Sequence, residues 1–228
     1  RKLMGKAGIH MQKAWGQLAG GIFIACIWMV AARLVTSSLL LLTLPLLVSV
    51  YIIELFRDRP QPFQNIAASL SGFIWISFPL ALFMAIAFIP GNEQKYQPFF
   101  VLGYFIILWS GDSGAFMFGK LMGKHKLFPR ISPNKTWEGS IGGLILALLA
   151  GWMNYHVWAL LELEKWLVLS LIINITGTFG DFSKSMLKRS VGVKDSGHIL
   201  PGHGGVLDRF DSLIGSAPFV FIFLLYYA

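Results

Sequence analysis

The chain has 228 residues, of which 55% are hydrophobic and 13% charged, and its mean hydropathy is +0.64. This composition excludes an ordinary soluble domain, in which about 25% of residues are charged. Nineteen lysines and arginines against eleven acidic residues give a net charge of +8, which in so apolar a chain indicates membrane topology and anionic headgroups rather than nucleic acid. The single cysteine, Cys26, excludes an intrachain disulfide. The sequence begins at Arg1 without a signal-peptide pattern, which predicts an N-terminally truncated fragment.

The sequence predicts an all-α integral membrane protein, a polytopic helical bundle with a polar cavity that faces the cytoplasm. One crossing needs about 20 apolar residues, and seven stretches fit: 17–36, 38–56, 66–89, 99–118, 139–161, 166–180 and 210–228. The sixth runs through Asn174 and Thr178 into Asp181, which predicts a helix that continues into the cavity. We expect one transmembrane domain over 1–228, with N-terminal helices in 1–98 and the candidate catalytic helices and loops in 99–228.

The basic residues predict the orientation of these helices. All lysines and arginines except Arg33, Lys95 and Lys165 lie in four connecting segments, 1–13, 57–65, 119–138 and 181–209. Seven crossings place all four segments on one side, which the positive-inside rule assigns to the cytoplasm.

The densest polar segment lies between residues 180 and 211. Its carboxylates Asp181, Asp208 and Asp211 adjoin the last two apolar stretches. If the last helix begins near Val206, Asp208 and Asp211 project from one face of its first turn. Converging carboxylates repel unless a hard cation holds them, and oxygen ligands suit Mg²⁺. The sequence therefore predicts a metal site formed by these three aspartates.

The same segment carries basic side chains suited to phosphate oxygens, which usually accompany Mg²⁺. They are Lys188, Arg189, Lys194 and Arg209. The alternative is that these charges only set topology and that Asp208 only stabilises a helix start. Three acids at one helix mouth favour a site.

The remaining residues of this segment have two interpretations each. Its glycines suit plain turns or a backbone nest around a phosphate; they are Gly202, Gly204 and Gly205. We expect His198 and His203 to donate hydrogen bonds or support the loop rather than to bind metal, because an all-oxygen Mg²⁺ site has little use for imidazole.

A second polar segment, 120–139, is predicted on the same side. Ser132-Pro133-Asn134 predicts a turn, and Thr136 predicts a cap of the fifth helix. Lys135, between them, is the candidate phosphate contact. Lys120, Lys124 and Lys126 fit equally well a loop that touches anionic lipid. Within the fourth apolar stretch, Asp112 requires a partner or a cavity, because an ionisable group there is costly.

These residues resemble a known family. Ser185-Met186-Leu187-Lys188-Arg189, Lys194-Asp195, Gly197, Pro201, His203-Gly204-Gly205, Asp208-Arg209 and Asp211 match the signature of CDP-diacylglycerol synthases, also called phosphatidate cytidylyltransferases. Two further blocks, 111–120 and 132–139, resemble the bacterial members. The resemblance covers about residues 100–215, and family members generally have one or two more N-terminal helices.

The resemblance implies that CTP and phosphatidic acid condense to CDP-diacylglycerol and pyrophosphate with Mg²⁺, in phospholipid biosynthesis at the bacterial inner (plasma) membrane. It also implies a second cation such as K⁺ in the acidic cluster and a homodimer. The expected catalytic residues are Asp181, Asp208, Asp211, Lys188, Arg189, Lys194 and Asp195. The expected substrate-binding residues are Ser132, Lys135, Thr136, Asp112, His203, Gly204, Gly205 and Arg209.

Two other functions remain open at this point. A CTP-dependent polyprenol kinase would transfer the γ-phosphate to a lipid alcohol instead of the cytidylyl group to a phosphate. An ion-coupled transporter also carries intramembrane acids, although the sequence shows no inverted repeat. The aspartate pattern of CDP-alcohol phosphotransferases is absent from the sequence.

Overall fold

The computed structural model describes residues 8–89, 95–158, 160–190, 192 and 210–227. Within them, seven helical segments and one β-hairpin follow one another: α1 (Lys13–Ala31), α2 (Ser37–Leu55), α3 (Pro62–Ile86), α4 (Pro98–Met122), β1 (Lys126–Phe128), β2 (Ser132–Thr136), α5 (Trp137–Trp158), α6 (Leu163–Ser190) and α7 (Asp211–Tyr227). The first turns of α2, Ser37–Leu42, are 3₁₀-helical, and α3 contains one π-helical turn, Phe73–Ser77.

The seven predicted crossings are confirmed as helices. Six of them, α1 to α6, are long and apolar enough to span a membrane, and the 17-residue α7 is shorter and equally apolar in character. The chain is therefore a multi-pass, all-α membrane protein, as its composition predicts.

Two boundaries differ from the prediction. Helix α6 continues to Ser190 instead of ending at residue 180, because residues 181–190 contain neither glycine nor proline. It ends before Gly192, which has a φ of +68° and whose N–H donates to the Arg189 carbonyl at 3.0 Å. Helix α7 begins at Asp211 rather than near Val206, with the Phe210 carbonyl accepting from the Ile214 N–H at 2.8 Å.

Glycines bring the helices around the core into close contact. A Cβ on Gly114 of α4 would lie 2.8 Å from the Gly142 carbonyl oxygen of α5, and one on Gly180 of α6 would lie 2.7 Å from the Gly215 Cα of α7. Small residues permit such backbone approach in membrane bundles. The second contact places Asp181, the neighbour of Gly180, beside the first turn of α7. The same helices also form an apolar core that includes the fully buried Tyr104, Ile107, Trp166 and Leu169.

The β-hairpin joins α4 to α5 as an antiparallel pair in which Lys126 faces Thr136 and Phe128 faces Ser132. The predicted turn at Ser132-Pro133-Asn134 is wrong, because these residues form β2. The turn instead spans residues 128–131, where the Ile131 N–H donates to the Phe128 carbonyl at 3.1 Å. Pro129 suits such a turn, and a two-stranded ribbon tolerates Pro133 because each strand has a free edge.

Candidate active site

A cavity of about 620 Å³ opens where α4, α5, α6, α7 and the hairpin meet. Three aspartates and three lysines line it: Asp112, Asp181, Asp211, Lys120, Lys126 and Lys135. Uncharged polar groups complete the wall: Asn134, Thr136, Ser140, Asn174, Thr178 and Ser212. Because carboxylates and ammonium groups line the same cavity, it is suited to a polyanion together with a cation.

The three aspartates come from three different helices. Asp112 lies in the middle of α4, Asp181 in the last third of α6, and Asp211 is the first residue of α7. Asp112, which is predicted to face a partner or a cavity, lines this cavity. Asp181 and Asp211, which are predicted to belong to one site, line the same cavity.

Lys135 reaches across the cavity from β2. Its Nζ lies 2.6 Å from the Asp181 Oδ2 and 4.8 Å from the centre of the Phe182 ring. That ring packs against Phe128 of β1 with 5.1 Å between ring centroids. The hairpin therefore packs on α6 through the contact between Phe128 and Phe182. This contact and the cation–π interaction between Lys135 and Phe182 fix the direction of the Lys135 ammonium group.

A second lysine binds Asp211 from behind the cavity wall. The Nζ of Lys184, whose residue is 2% exposed, lies 3.2 Å from the Asp211 Oδ2, and the Ser212 N–H donates to the other carboxylate oxygen at 2.9 Å. Lys184 was not predicted as a site residue. Its spacing of three from Asp181 could have indicated it, because residues three apart share one face of a helix.

The base of the hairpin is tied to the start of α5. The Thr136 Oγ1 accepts from the Gly139 N–H at 3.2 Å, which confirms the predicted cap. The Glu138 carboxylate lies 2.6 Å from the His125 Nδ1 and accepts from the backbone N–H groups of Lys124 and His125 at 3.1 and 3.2 Å. These bonds hold β1 and β2 at the cavity mouth. Neither Glu138 nor His125 was predicted.

Other residues that line the cavity were recognised only in part. Asn174, Thr178 and Asp181 follow one another at spacings of four and three, so α6 presents them as one polar stripe toward the cavity. The sequence indicated this stripe as the polar end of the sixth stretch. For Lys120 and Lys126 the sequence did not distinguish a site role from contact with anionic lipid. Both side chains line the cavity.

Three predicted residues lie in the described part of the chain but do not line the cavity. Ser132 opens β2 at the far end of the hairpin, opposite Phe128. Lys188 and Arg189 lie in the last turn of α6, about one turn beyond Lys184. The other predicted site residues fall outside the described residues: Lys194, Asp195, His203, Gly204, Gly205, Asp208 and Arg209, together with His198 and Gly202.

The donor chemistry of the cavity fits a hard divalent cation. Its carboxylates supply oxygen ligands, and each oxygen that accepts from a lysine or a backbone N–H retains a second lone pair. Within the described ranges no group of three or more acidic, histidine or cysteine side chains is close enough to enclose a metal. The predicted third ligand, Asp208, is outside those ranges.

Comparison with known proteins decides the family. The sequence model of the cytidylyltransferase family matches residues 3–227. The chain belongs to this family. The phosphatidate cytidylyltransferases of Staphylococcus haemolyticus strain JCSC1435 and Staphylococcus aureus strain COL are 48% and 49% identical to it over 133 residues. The corresponding enzyme of Staphylococcus epidermidis strain ATCC 35984 is 47% identical over 128 residues.

Each of these alignments covers 55% of this chain and 49% of the relative. The chain thus spans about half the length of the curated relatives it matches. The resemblance stated from the motifs is confirmed at the level of the family.

Proposed function

We propose that this cytidylyltransferase-family chain transfers the cytidylyl group of CTP to phosphatidic acid, giving CDP-diacylglycerol and pyrophosphate. The observation that carries the proposal is the cavity in which Lys135 and Asp181, from the hairpin and α6, face Asp211 and Asp112 at one end of an apolar bundle. The relatives named phosphatidate cytidylyltransferase support the choice of substrates.

The proposed reaction needs no strong base. The phosphate monoester of phosphatidate carries negative charge near neutral pH, so its oxygen attacks the α-phosphorus of CTP directly. One phosphorus–oxygen bond forms to that oxygen, the bond to the β-phosphate breaks, and pyrophosphate leaves with the electron pair. The barrier is the approach of one anion to another, which positioned cations lower.

The lysines of the cavity supply part of that positive charge. Lys135 is fixed by Asp181 and Phe182, so its ammonium group is positioned before substrate binds. Lys120 and Lys126 line the same space and would bind further phosphate oxygens. Lys184 holds Asp211 in place without lining the cavity, and we assign it a positioning role.

Mg²⁺ is the proposed cofactor, held by Asp181 and Asp211 and, from outside the described residues, by Asp208. When bound, the ion would neutralise triphosphate oxygens and align them for in-line displacement. A second cation such as K⁺ is part of the same proposal. Asp112 and Asp195 are proposed as site residues without separate roles.

The remaining predicted contacts complete the proposal. Lys188, Arg189, Lys194 and Arg209 would bind phosphates of CTP or phosphatidate, and Gly204, Gly205 and His203 would form a backbone cradle beside them. Thr136 holds the hairpin that presents Lys135, and Ser132 supports the same hairpin from its far end.

The lipid substrate would enter sideways from the bilayer. Phe116, at the cavity edge on α4, is 70% exposed, and Met117 beside it is 51% exposed. Such exposed apolar groups in a membrane protein face lipid tails. We propose that the cavity lies at the cytoplasmic face of the inner membrane, because segment 119–138, which the positive-inside rule assigns to the cytoplasm, contributes Lys120, Lys126 and Lys135 to its lining. We also propose a homodimer, which light scattering in detergent would test.

The test is product identification with purified protein, CTP, Mg²⁺ and either phosphatidate or a polyprenol. The proposal predicts a CDP-lipid and pyrophosphate only in the tube with phosphatidate. CDP and a phosphorylated polyprenol would instead establish the kinase. Activity that persists at wild-type level in Asp211→Asn would contradict the role of the cavity, with Glu162→Gln at the opposite end of α6 as the matched control.

A further inference from the structure

A second cavity lies in the N-terminal half of the bundle, between α1 and α3. Its volume is about 1250 Å³, larger than the roughly 300–1,000 Å³ of most small-molecule pockets. It shares no residue with the first cavity. Its mouth lies at the start of α1 and just beyond the end of α2, and it is lined by residues of the basic segments 1–13 and 57–65.

The mouth of this cavity is basic. His10, Lys13, Arg57 and Arg59 line it, and none of the described residues that line it is acidic. Arg57 is paired with Glu54 at 2.7 Å. Among the described residues no carboxylate forms an ion pair with Lys13 or Arg59. Lys13 and Arg59 therefore add positive charge to the mouth that no ion pair among the described residues neutralises.

A buried polar network fixes that mouth. The Glu54 carboxylate, in a residue that is 4% exposed, accepts from the Gln12 Nε2 at 2.7 Å, the Asn65 Nδ2 at 2.9 Å and Arg57. The Gln12 N–H donates to the Ser69 Oγ at 3.0 Å. These bonds tie the ends of α1, α2 and α3 together, so the Arg57 side chain and the backbone that carries Lys13 are held in place before any ligand binds.

Below the mouth the lining is mostly apolar and rich in glycine, with a few uncharged polar side chains. Ile24 of α1 and Phe73, Ile76 and Leu80 of α3 form its lower wall. A Cβ added to Gly16 would meet nothing within 4 Å, so that part of the α1 surface borders open space. From Lys13 to Ile24 the helix rises about 16 Å, which is about half of a hydrocarbon core of roughly 30 Å and so the depth of one leaflet.

From this arrangement we propose that the N-terminal cavity is a binding site for one anionic phospholipid, separate from the active site. Its phosphate would bind Lys13, Arg57 and Arg59, and an acyl chain would lie over Gly16 along α1 and α3. A cationic, preorganised mouth above an apolar slot of one-leaflet depth matches the charge and the length of such a lipid. The inference does not depend on the proposed reaction, because it concerns binding alone.

The test is native mass spectrometry of the full chain in detergent, titrated with phosphatidylglycerol, phosphatidate or phosphatidylcholine. We expect one tightly bound phosphatidylglycerol, one phosphatidate in this cavity in addition to the phosphatidate that the active site binds, and at least tenfold weaker binding of phosphatidylcholine. The phosphatidylglycerol and phosphatidate titrations show whether the site prefers the diester or the monoester headgroup. The double variant Lys13→Gln and Arg59→Gln should weaken anionic lipid binding by about thirtyfold, given the usual contribution of two basic side chains.

A second variant separates the cavity from surface charge. Gly16→Leu projects a side chain into the cavity from a position where a Cβ meets nothing within 4 Å, so it should fold and should abolish the tight site for anionic lipid. Ile22→Phe, which adds bulk to the lipid-facing side of the same helix, and Lys165→Gln, at the opposite end of the bundle, serve as controls. Equal affinity for all three lipids, or unchanged binding in both Gly16→Leu and the double variant, would overturn the proposal.

Discussion

The ion pair between Lys135 and Asp181 gives the sharpest prediction for the proposed reaction. The 2.6 Å distance makes it a charge-assisted hydrogen bond between side chains that are 32% and 25% exposed. Such bonds contribute about 1.5–3 kcal/mol. Replacing Lys135 with glutamine removes a charged hydrogen bond of this strength from the incoming triphosphate and leaves the Asp181 charge to repel it. A loss near 2 kcal/mol corresponds to an approximately thirtyfold fall in kcat/KM for CTP.

The assay is initial-rate kinetics with varied CTP at fixed phosphatidate, for wild type, Lys135→Gln and Lys135→Arg. The arginine variant keeps the charge and should lose less than the glutamine variant. A double-mutant cycle with Asp181→Asn should show that the two changes are not additive, because the residues are in contact. Lys165→Gln, whose ion pair with Glu162 lies at the other end of α6, is the control. A change below threefold in Lys135→Gln would refute the reasoning.

Three further predictions concern the metal, the packing and the hairpin. Asp211→Asn should abolish turnover and raise the Mg²⁺ concentration required for CTP binding, measured by calorimetry, and an unchanged Mg²⁺ requirement would exclude Asp211 as a ligand. Gly114→Val should lower the thermal unfolding midpoint by several degrees, since its Cβ would lie 2.8 Å from a backbone oxygen of α5. Gly16→Ala is the control and should leave the midpoint unchanged, because a Cβ at Gly16 meets open space. Equal shifts of the midpoint in the two variants would contradict the close approach of α4 and α5. Glu138→Gln should speed hydrogen exchange at the Lys124 amide, which donates to that carboxylate; unchanged exchange would show that Glu138 does not secure the hairpin.

Hydrophobicity and charge predicted most of the fold. A crossing needs a long apolar stretch, so all seven helices could be located, and the clustering of basic residues predicted which connecting segments share a side. Boundaries in polar sequence were less accessible. Helix α6 runs ten residues past its apolar part, because tertiary contacts such as Lys184 with Asp211 stabilise polar helical turns that hydropathy does not register.

Site residues could be predicted where the chemistry of a single residue required a particular environment. A carboxylate inside an apolar helix, Asp112, required a partner or a cavity, and it lines one cavity together with Asp181 and Asp211. Lys184 and Glu138 were missed because their roles arise from partners distant in sequence, 27 and 13 residues away. The turn of the hairpin was predicted too late in the chain, because the residue types of Ser132-Pro133-Asn134 are also typical of turns. In the structure these residues belong to β2, and the hairpin packs on α6 through Phe128 and Phe182.

The fate of two phosphates of CTP tests the central claim most directly. Purified protein is incubated with phosphatidate, Mg²⁺ and CTP that carries a radiolabel on either the α-phosphate or the γ-phosphate, and the lipid fraction is then counted. Cytidylyl transfer predicts that the α-label enters the lipid and that the γ-label leaves as pyrophosphate. Lipid labelled from the γ-phosphate, or no phosphatidate-dependent label in the lipid from either nucleotide, would contradict it.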